Sequence, residues 1–180
     1  MKIKLYLVWL ACLAAPAAWA STDITVDTGN TINCVTARGE KGFNIDAWSL
    51  SGSDSVVFSF GGVGRTSSRP QISTLSLTKT LDACSAQLQA MFLSAHQLPS
   101  FTLTQYRTTA DGIQAYVVVT LTDPAMTSYQ IQASEDVRAA ERVSFTFRKV
   151  CLKTTPTQTA HGSLGSSTTI CYDRVSDITN

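Results

Sequence analysis

Hydrophobic and polar residues alternate along most of the chain with a period near two, the spacing that puts one face of an extended segment against a core. Thr31 to Ala37, Phe43 to Leu50 and Ser55 to Phe60 are rich in β-branched and aromatic residues, and Gly and Ser separate them. These three stretches read as strands. Residues 61 to 71, GGVGRTSSRPQ, break the pattern and predict a long polar loop, after which Ile72 to Leu77 resumes it. The period then changes. Leu81, Cys84, Leu88, Met91, Phe92 and Ala95 recur at spacings of three and four, which places them on one helical face. Thr80 or Asp82 is positioned to cap that helix, and Pro99 forbids its continuation.

Beyond the helix, Phe101 to Arg107 and Ile113 to Thr122 predict a hairpin across the turn signal Asp111-Gly112. Asp123-Pro124 interrupts the chain before a strand over Met126 to Ala133, and SEDVRAAER at 134 to 142 reads as a solvated charged loop or a single turn. In Val143 to Leu152 the apolar phase switches: Val143, Phe145 and Phe147 face one way, Val150 and Leu152 the other. Such a switch predicts a bulge, or a strand passing from the internal core to an intermolecular contact. One short strand, Thr168 to Tyr172, stands in a Thr-, Ser- and Gly-rich tail.

The N-terminus belongs to a different kind of segment. Lys2 and Lys4 precede an apolar run from Leu5 to Ala15, and Ala18-Trp19-Ala20 offers small residues at the positions a signal peptidase must fit. Residues 1–20 therefore read as a secretory signal, too short to span a bilayer, with cleavage expected before Ser21. The mature organisation predicted is a β-rich domain over residues 21–156, followed by an extension over 157–180.

Export changes how the cysteines are read. Cys34, Cys84, Cys151 and Cys171 remain past the signal, an even number bound for an oxidising compartment, so two disulfides are expected. Four cysteines allow three pairings. The turn-rich segment between two strand-like flanks favours Cys151 with Cys171, which leaves Cys34 for Cys84. No spacing resembles a zinc site, so no metal and no cofactor is expected.

Among the 180 residues, 14 Lys and Arg against 13 Asp and Glu give a formal charge of +1, which disfavours nucleic acid as a partner. No catalytic residue is assigned. His161 lies in HGSLGS without the G-x-S-x-G pattern of a nucleophile elbow and reads as a turn. His96 sits where the helix should end and suits the unpaired carbonyls there. Trp48, Phe58 and Phe60 could line a ligand surface, but aromatics in such strands more often fill a β core, and they read as core filling.

Three collinear segments resemble one family. LSLTKTLDACSAQLQAMFLSAHQLPSFTLTQYR at 75–107 resembles the stretch of the hemolysin-coregulated protein (Hcp) family in which a strand enters a Thr-Lys-containing helix start and a Pro-led strand follows. QAYVVVTLTDPAMTSYQIQ at 114–132 is similar to its long paired strands, and VSFTFRKVCLKTTP at 143–156 to its closing strand. The resemblance implies a mainly β fold, a barrel of two sheets with one flanking helix. It also implies self-association into a homohexameric ring that stacks into the tube of a type VI secretion apparatus and carries effector proteins. The long loop would then reach the next ring, which makes Gly61, Gly62, Gly64, Arg65 and Arg69 candidate contact residues. A signal, cysteine pairs and the tail depart from the family's pattern. The alternative is a monomeric periplasmic or secreted binding module on the same barrel.

Overall fold

The computed structural model describes residues 23–53, 56–58, 65–67, 71–95, 97–109, 111–135, 137–156, 164–176 and 178–179. The expected signal, His96, His161 and Phe60 lie outside them. A seven-stranded antiparallel sheet and a four-stranded one pack face to face, and their strands are shared out along the chain by repeated crossings. The first sheet contains β1 (Ile24–Asp27), β2 (Phe43–Asn44), β7 (Phe101–Thr109), β8 (Gly112–Thr122), β11 (Lys149–Thr154), β12 (Thr168–Asp173) and β13 (Ile178–Thr179), in the order β13-β12-β11-β8-β7-β1-β2. The second contains β3 (Ala47–Ser53), β6 (Gln71–Thr80), β9 (Ala125–Ser134) and β10 (Val137–Thr146), in the order β3-β6-β10-β9. A separate hairpin pairs β4 (Val56–Phe58) with β5 (Arg65–Ser67). The helix α1 (Ser85–Leu93) is the only one among the described residues. Fold class is thus mainly β, with two sheets and one flanking helix.

Side-chain rows that cross the strands build the core. Val26, Leu103 and Val119 stand side by side across β1, β7 and β8, all at 0% exposure. Leu75 on β6 lies beside Phe145 on β10, and the Phe145 ring meets Phe101 of the opposite sheet at 4.9 Å between centroids. Burying a side chain of this size stabilises the fold by about 1.5–3 kcal/mol relative to exposure, so these rows hold the two layers together.

Several predicted elements are redrawn. Thr31 to Ala37 is not a strand. Gly29 and Asn30 take φ of 61° and 70°, and the Thr36 hydroxyl accepts the N–H groups of Arg38 and Glu40 at 3.3 and 3.1 Å. Such side-chain-to-backbone bonds compete with a ladder and curl the segment into a loop. The strand of this region comes earlier, at β1. Phe43 to Leu50 divides at Ile45–Asp46, where the chain leaves one sheet for the other: Ile45 N–H donates to the Ile24 carbonyl (3.0 Å) and Asp46 N–H to that of Thr78 (2.8 Å).

The helix begins later than its apolar period suggests. Leu88 and Met91 are buried but Leu81 is 41% exposed, and the last turn before the helix is held by Asp82, whose Oδ1 accepts the Cys84 N–H at 2.8 Å. Thr80 instead donates to Asp46. Most of the segment expected as a charged loop or single turn, 137–142, is instead the start of β10, and Val137 already pairs with Ser134 of β9. The phase switch near Phe147 is a corner between sheets, not a bulge or an intermolecular face, because Val150 resumes the same core at 2% exposure. A second corner, at Asp123–Pro124, takes β8 into β9. Arg148 Nε donates to Asp123 Oδ2 at 2.7 Å and fastens the two corners together.

Candidate functional site

The four-stranded sheet is where the molecule differs most from a closed sandwich. Among the described residues, the seven-residue β3 and the ten-residue β9 each have one neighbour, so each presents a free rim. The other sheet ends in the two-residue strands β2 and β13, which cover Thr25 and Val26 of β1 and Tyr172 and Asp173 of β12 and leave only a short stretch, residues 168–171, open beside them. Period-two alternation turns Trp48, Leu75, Leu77, Val143 and Phe145 inward. The opposite face is left with Ser49, Ser76, Ser144 and Ser128, which register side by side across all four strands. The Ser76 and Ser144 hydroxyls lie 3.1 Å apart. Arg142, exposed on the same face, borders a shallow hollow with Trp48, Ser49 and Thr78. Trp48 itself packs against the core and donates its indole N–H to Gln105 at 3.1 Å, the aromatic filling expected of it.

A polar cluster breaks the inward row of the same sheet. Lys79 follows Leu75 and Leu77 on the core face of β6, Glu141 precedes Val143 on that of β10, and the two residues are directly opposite in register. Lys79 is 2% exposed and Glu141 1%. Lys79 Nζ donates to Glu141 Oε1 at 2.7 Å, to Asp82 Oδ1 at 2.8 Å and to the Thr80 carbonyl at 3.0 Å. Ser85, at the first position of α1, donates its hydroxyl to Glu141 Oε1 at 2.7 Å and accepts the Asp82 N–H at 2.9 Å. Tyr129 on β9 donates to Glu141 Oε2 at 2.6 Å. Burial, then the hydrogen bond to Glu141 and its negative charge, push the Tyr129 phenol well above its ordinary range. This network ties three strands of the sheet to the start of the helix. Sequence reasoning placed Glu141 in a solvated charge run and missed it.

The cysteines close two cross-links, Cys34–Cys84 and Cys151–Cys171. The first clamps the 28–42 loop to the helix N-terminus, with both residues 8% exposed. The second joins directly opposed residues of β11 and β12 and is partly buried. Of the candidate ring-contact residues, Arg65 opens β5, so part of the expected loop is a hairpin; Gly61, Gly62, Gly64 and Arg69 lie outside the described residues. Phe58 ends β4. Among the described residues no three metal-ligating side chains come together, and no helix is long and apolar enough to cross a membrane.

Residues 29–153 match the profile of the family described as type VI secretion system effector, Hcp. A solved type six secretion system protein superposes with TM-score 0.76 at 17% identity, over 89% of this chain and 100% of its own. Hcp1 from Salmonella typhimurium does so with TM-score 0.67 at 16% identity, over 88% and 99%. Hcp3 from Pseudomonas aeruginosa, described as a secreted protein, gives TM-score 0.51 at 18% identity, over 86% and 98%. No curated protein sequence matches the chain.

Proposed function

The chain belongs to the Hcp family of type VI secretion proteins, and we propose that it is an exported structural member that joins side by side into a hexameric ring. The observation that carries this reading is the pair of long free rims on one sheet, β3 and β9, while the other sheet ends in stubs. Joining the β9 rim of one subunit to the β3 rim of the next is a head-to-tail contact, which generates a ring when the rotation closes. Every hydrogen bond such a contact makes satisfies a backbone group left open in the monomer. The near-neutral chain imposes little repulsion between copies.

In such a ring the four-stranded sheets form a continuous wall. Its serine row and Arg142 give a hydroxylated surface suited to a passing effector protein rather than to a tightly held ligand. The work is mechanical and not catalytic. Gly61, Gly62, Gly64, Arg65 and Arg69 are proposed to meet the neighbouring ring, with the Gly residues allowing close backbone approach. The signal over residues 1–20 and the two disulfides support delivery to the periplasm or the exterior.

Light scattering of the oxidised, signal-free protein should give six times the subunit mass, and negative-stain images should show rings. A strict monomer at high concentration overturns the proposal and favours the binding-module reading. That reading has one observation of its own: β12, stapled to β11, seals a sheet edge within the subunit.

A further inference from the structure

We propose that Cys151–Cys171 is a redox latch on the C-terminal strap, β12 and β13, opened by a dithiol reductant while Cys34–Cys84 stays closed. The two cross-links sit in contrasting surroundings. Cys34 and Cys84 belong to the core cluster, each 8% exposed, which limits the approach of an attacking thiolate in the folded state. Cys151 and Cys171 are only partly buried and lie outside the core cluster, and Thr169, Ile170 and Lys153 around them are exposed.

Besides the disulfide, the strap is held by one ladder, one core side chain and contacts at its two ends. β12 joins the seven-stranded sheet only through β11 on one side and the two-residue β13 on the other. Of its side chains, Thr168, Thr169 and Ile170 are exposed, and Tyr172 alone is buried. The far end of the strap is pinned where Arg174 donates to Thr146 Oγ1 (2.7 Å) and to the Phe147 carbonyl (3.3 Å). At the near end the direct ties are Thr155 Oγ1 to Ser167 Oγ at 3.2 Å and Gly165 N–H to the Pro156 carbonyl at 2.7 Å. The disulfide lies between these two groups of contacts and closes a loop with a sequence separation of 20. With the bond intact, an opening β12 stays tethered to β11 at Cys171; with the bond gone, only the ladder to β11, buried Tyr172 and the contacts at the two ends oppose opening.

The chemistry is thiol–disulfide exchange. One thiolate of the reductant attacks the Sγ of Cys171, forms a mixed disulfide and expels Cys151 as a thiolate. The reductant's second thiolate then closes an internal disulfide and releases Cys171. Two electrons pass from the dithiol to the protein, and the two reductant protons end on Cys151 and Cys171. Opening the strap uncovers β11, a six-residue strand that carries the core residue Val150. The sheet's edge then moves from β12, which β13 covers only at Tyr172 and Asp173, to β11, independently of the β3 and β9 rims.

The test uses the oxidised full-length mature protein, titrated with dithiothreitol under native conditions, alkylated and mapped by mass spectrometry, with amide hydrogen exchange measured in parallel. Cys151 and Cys171 should become alkylated together while Cys34 and Cys84 remain protected. The β12 amides should exchange on the order of 100-fold faster, as expected for losing a loop closure of this length, while β7 and β8 do not change. Re-oxidation should restore slow exchange. Reduction of Cys34–Cys84 first or simultaneously, or unchanged exchange in β12 after reduction, overturns the proposal. So does failure of the Cys151→Ser/Cys171→Ser variant to fold, since the bond would then be a staple required by the whole domain.

Discussion

Glu141 is the most consequential single residue to perturb. Its carboxylate accepts bonds from Lys79 Nζ (2.7 Å), Ser85 Oγ (2.7 Å) and Tyr129 OH (2.6 Å) at 1% exposure. Glu141→Gln keeps the shape and an acceptor oxygen for Ser85 or Tyr129, but it removes the negative charge facing a lysine that is 2% exposed. Breaking a buried ion pair from one side costs about 3–5 kcal/mol because the remaining charge is uncompensated. Asp82 stays 2.8 Å from the Lys79 ammonium but is 45% exposed and partly screened, so the lower end, about 3 kcal/mol, is expected. Lys79→Met should cost as much or more, since among the described residues no second cation pairs with Glu141. The double variant Lys79→Met/Glu141→Leu should be less destabilised than either single one, because an apolar pair of similar volume removes both charges together. Urea unfolding with disulfides intact, read as a change in midpoint at constant slope, measures all three. A loss below about 1 kcal/mol for Glu141→Gln, or strict additivity in the double variant, would refute the claim that the pair is a coupled buried unit.

Other outcomes follow from particular contacts. Gly42 has φ of 120°, and a Cβ there would collide with the Val26 carbonyl oxygen, so Gly42→Ala should cost about 1–3 kcal/mol or more by chemical denaturation. A loss under 0.5 kcal/mol would mean that the β1–β2 approach is loose. Because the Tyr129 phenol is raised, its contribution to stability is present below the unfolded value of about 10 and is lost as pH climbs past it. Absorbance titration near 295 nm should show one phenol resisting ionisation until the chain unfolds, and Tyr129→Phe should remove that delayed step. The Val175 N–H, then that of Ser176 and the Arg148 charge, hold the Asp173 carboxyl below its usual range despite opposing desolvation. Its contribution is therefore present above about pH 4 and fades in acid. Asp173→Asn should flatten the acid dependence of amide exchange around 173–176.

Local periodicity carried much of this fold. The hairpin at Asp111-Gly112 is legible because Gly112 supplies the positive φ its turn uses, and the helix because no strand gives spacings of three and four. Corners between sheets are not legible in the same way. At Ile45–Asp46 and at Phe147–Arg148 the residues on both sides keep strand character, and only the partner strands differ. The phase break at Phe147 was the one available sign. Lys79 and Glu141 were hidden because a charged residue is normally counted as solvated. A strict period-two reading, with Lys79 two places after Leu77 and Glu141 two before Val143, would have flagged both. The long rims of β3 and β9 belong to tertiary topology and have no local signature.

Both ends of the described chain, β1 and β13, sit in the seven-stranded sheet, connected laterally through β7, β8, β11 and β12. Tension applied between the two termini would therefore run across one layer of ladder hydrogen bonds and leave the other layer unloaded. Whatever grips a terminus during transport would strain the sheet with stub edges. The sheet with open rims would keep its curvature, and a ring joined through it would keep its bore.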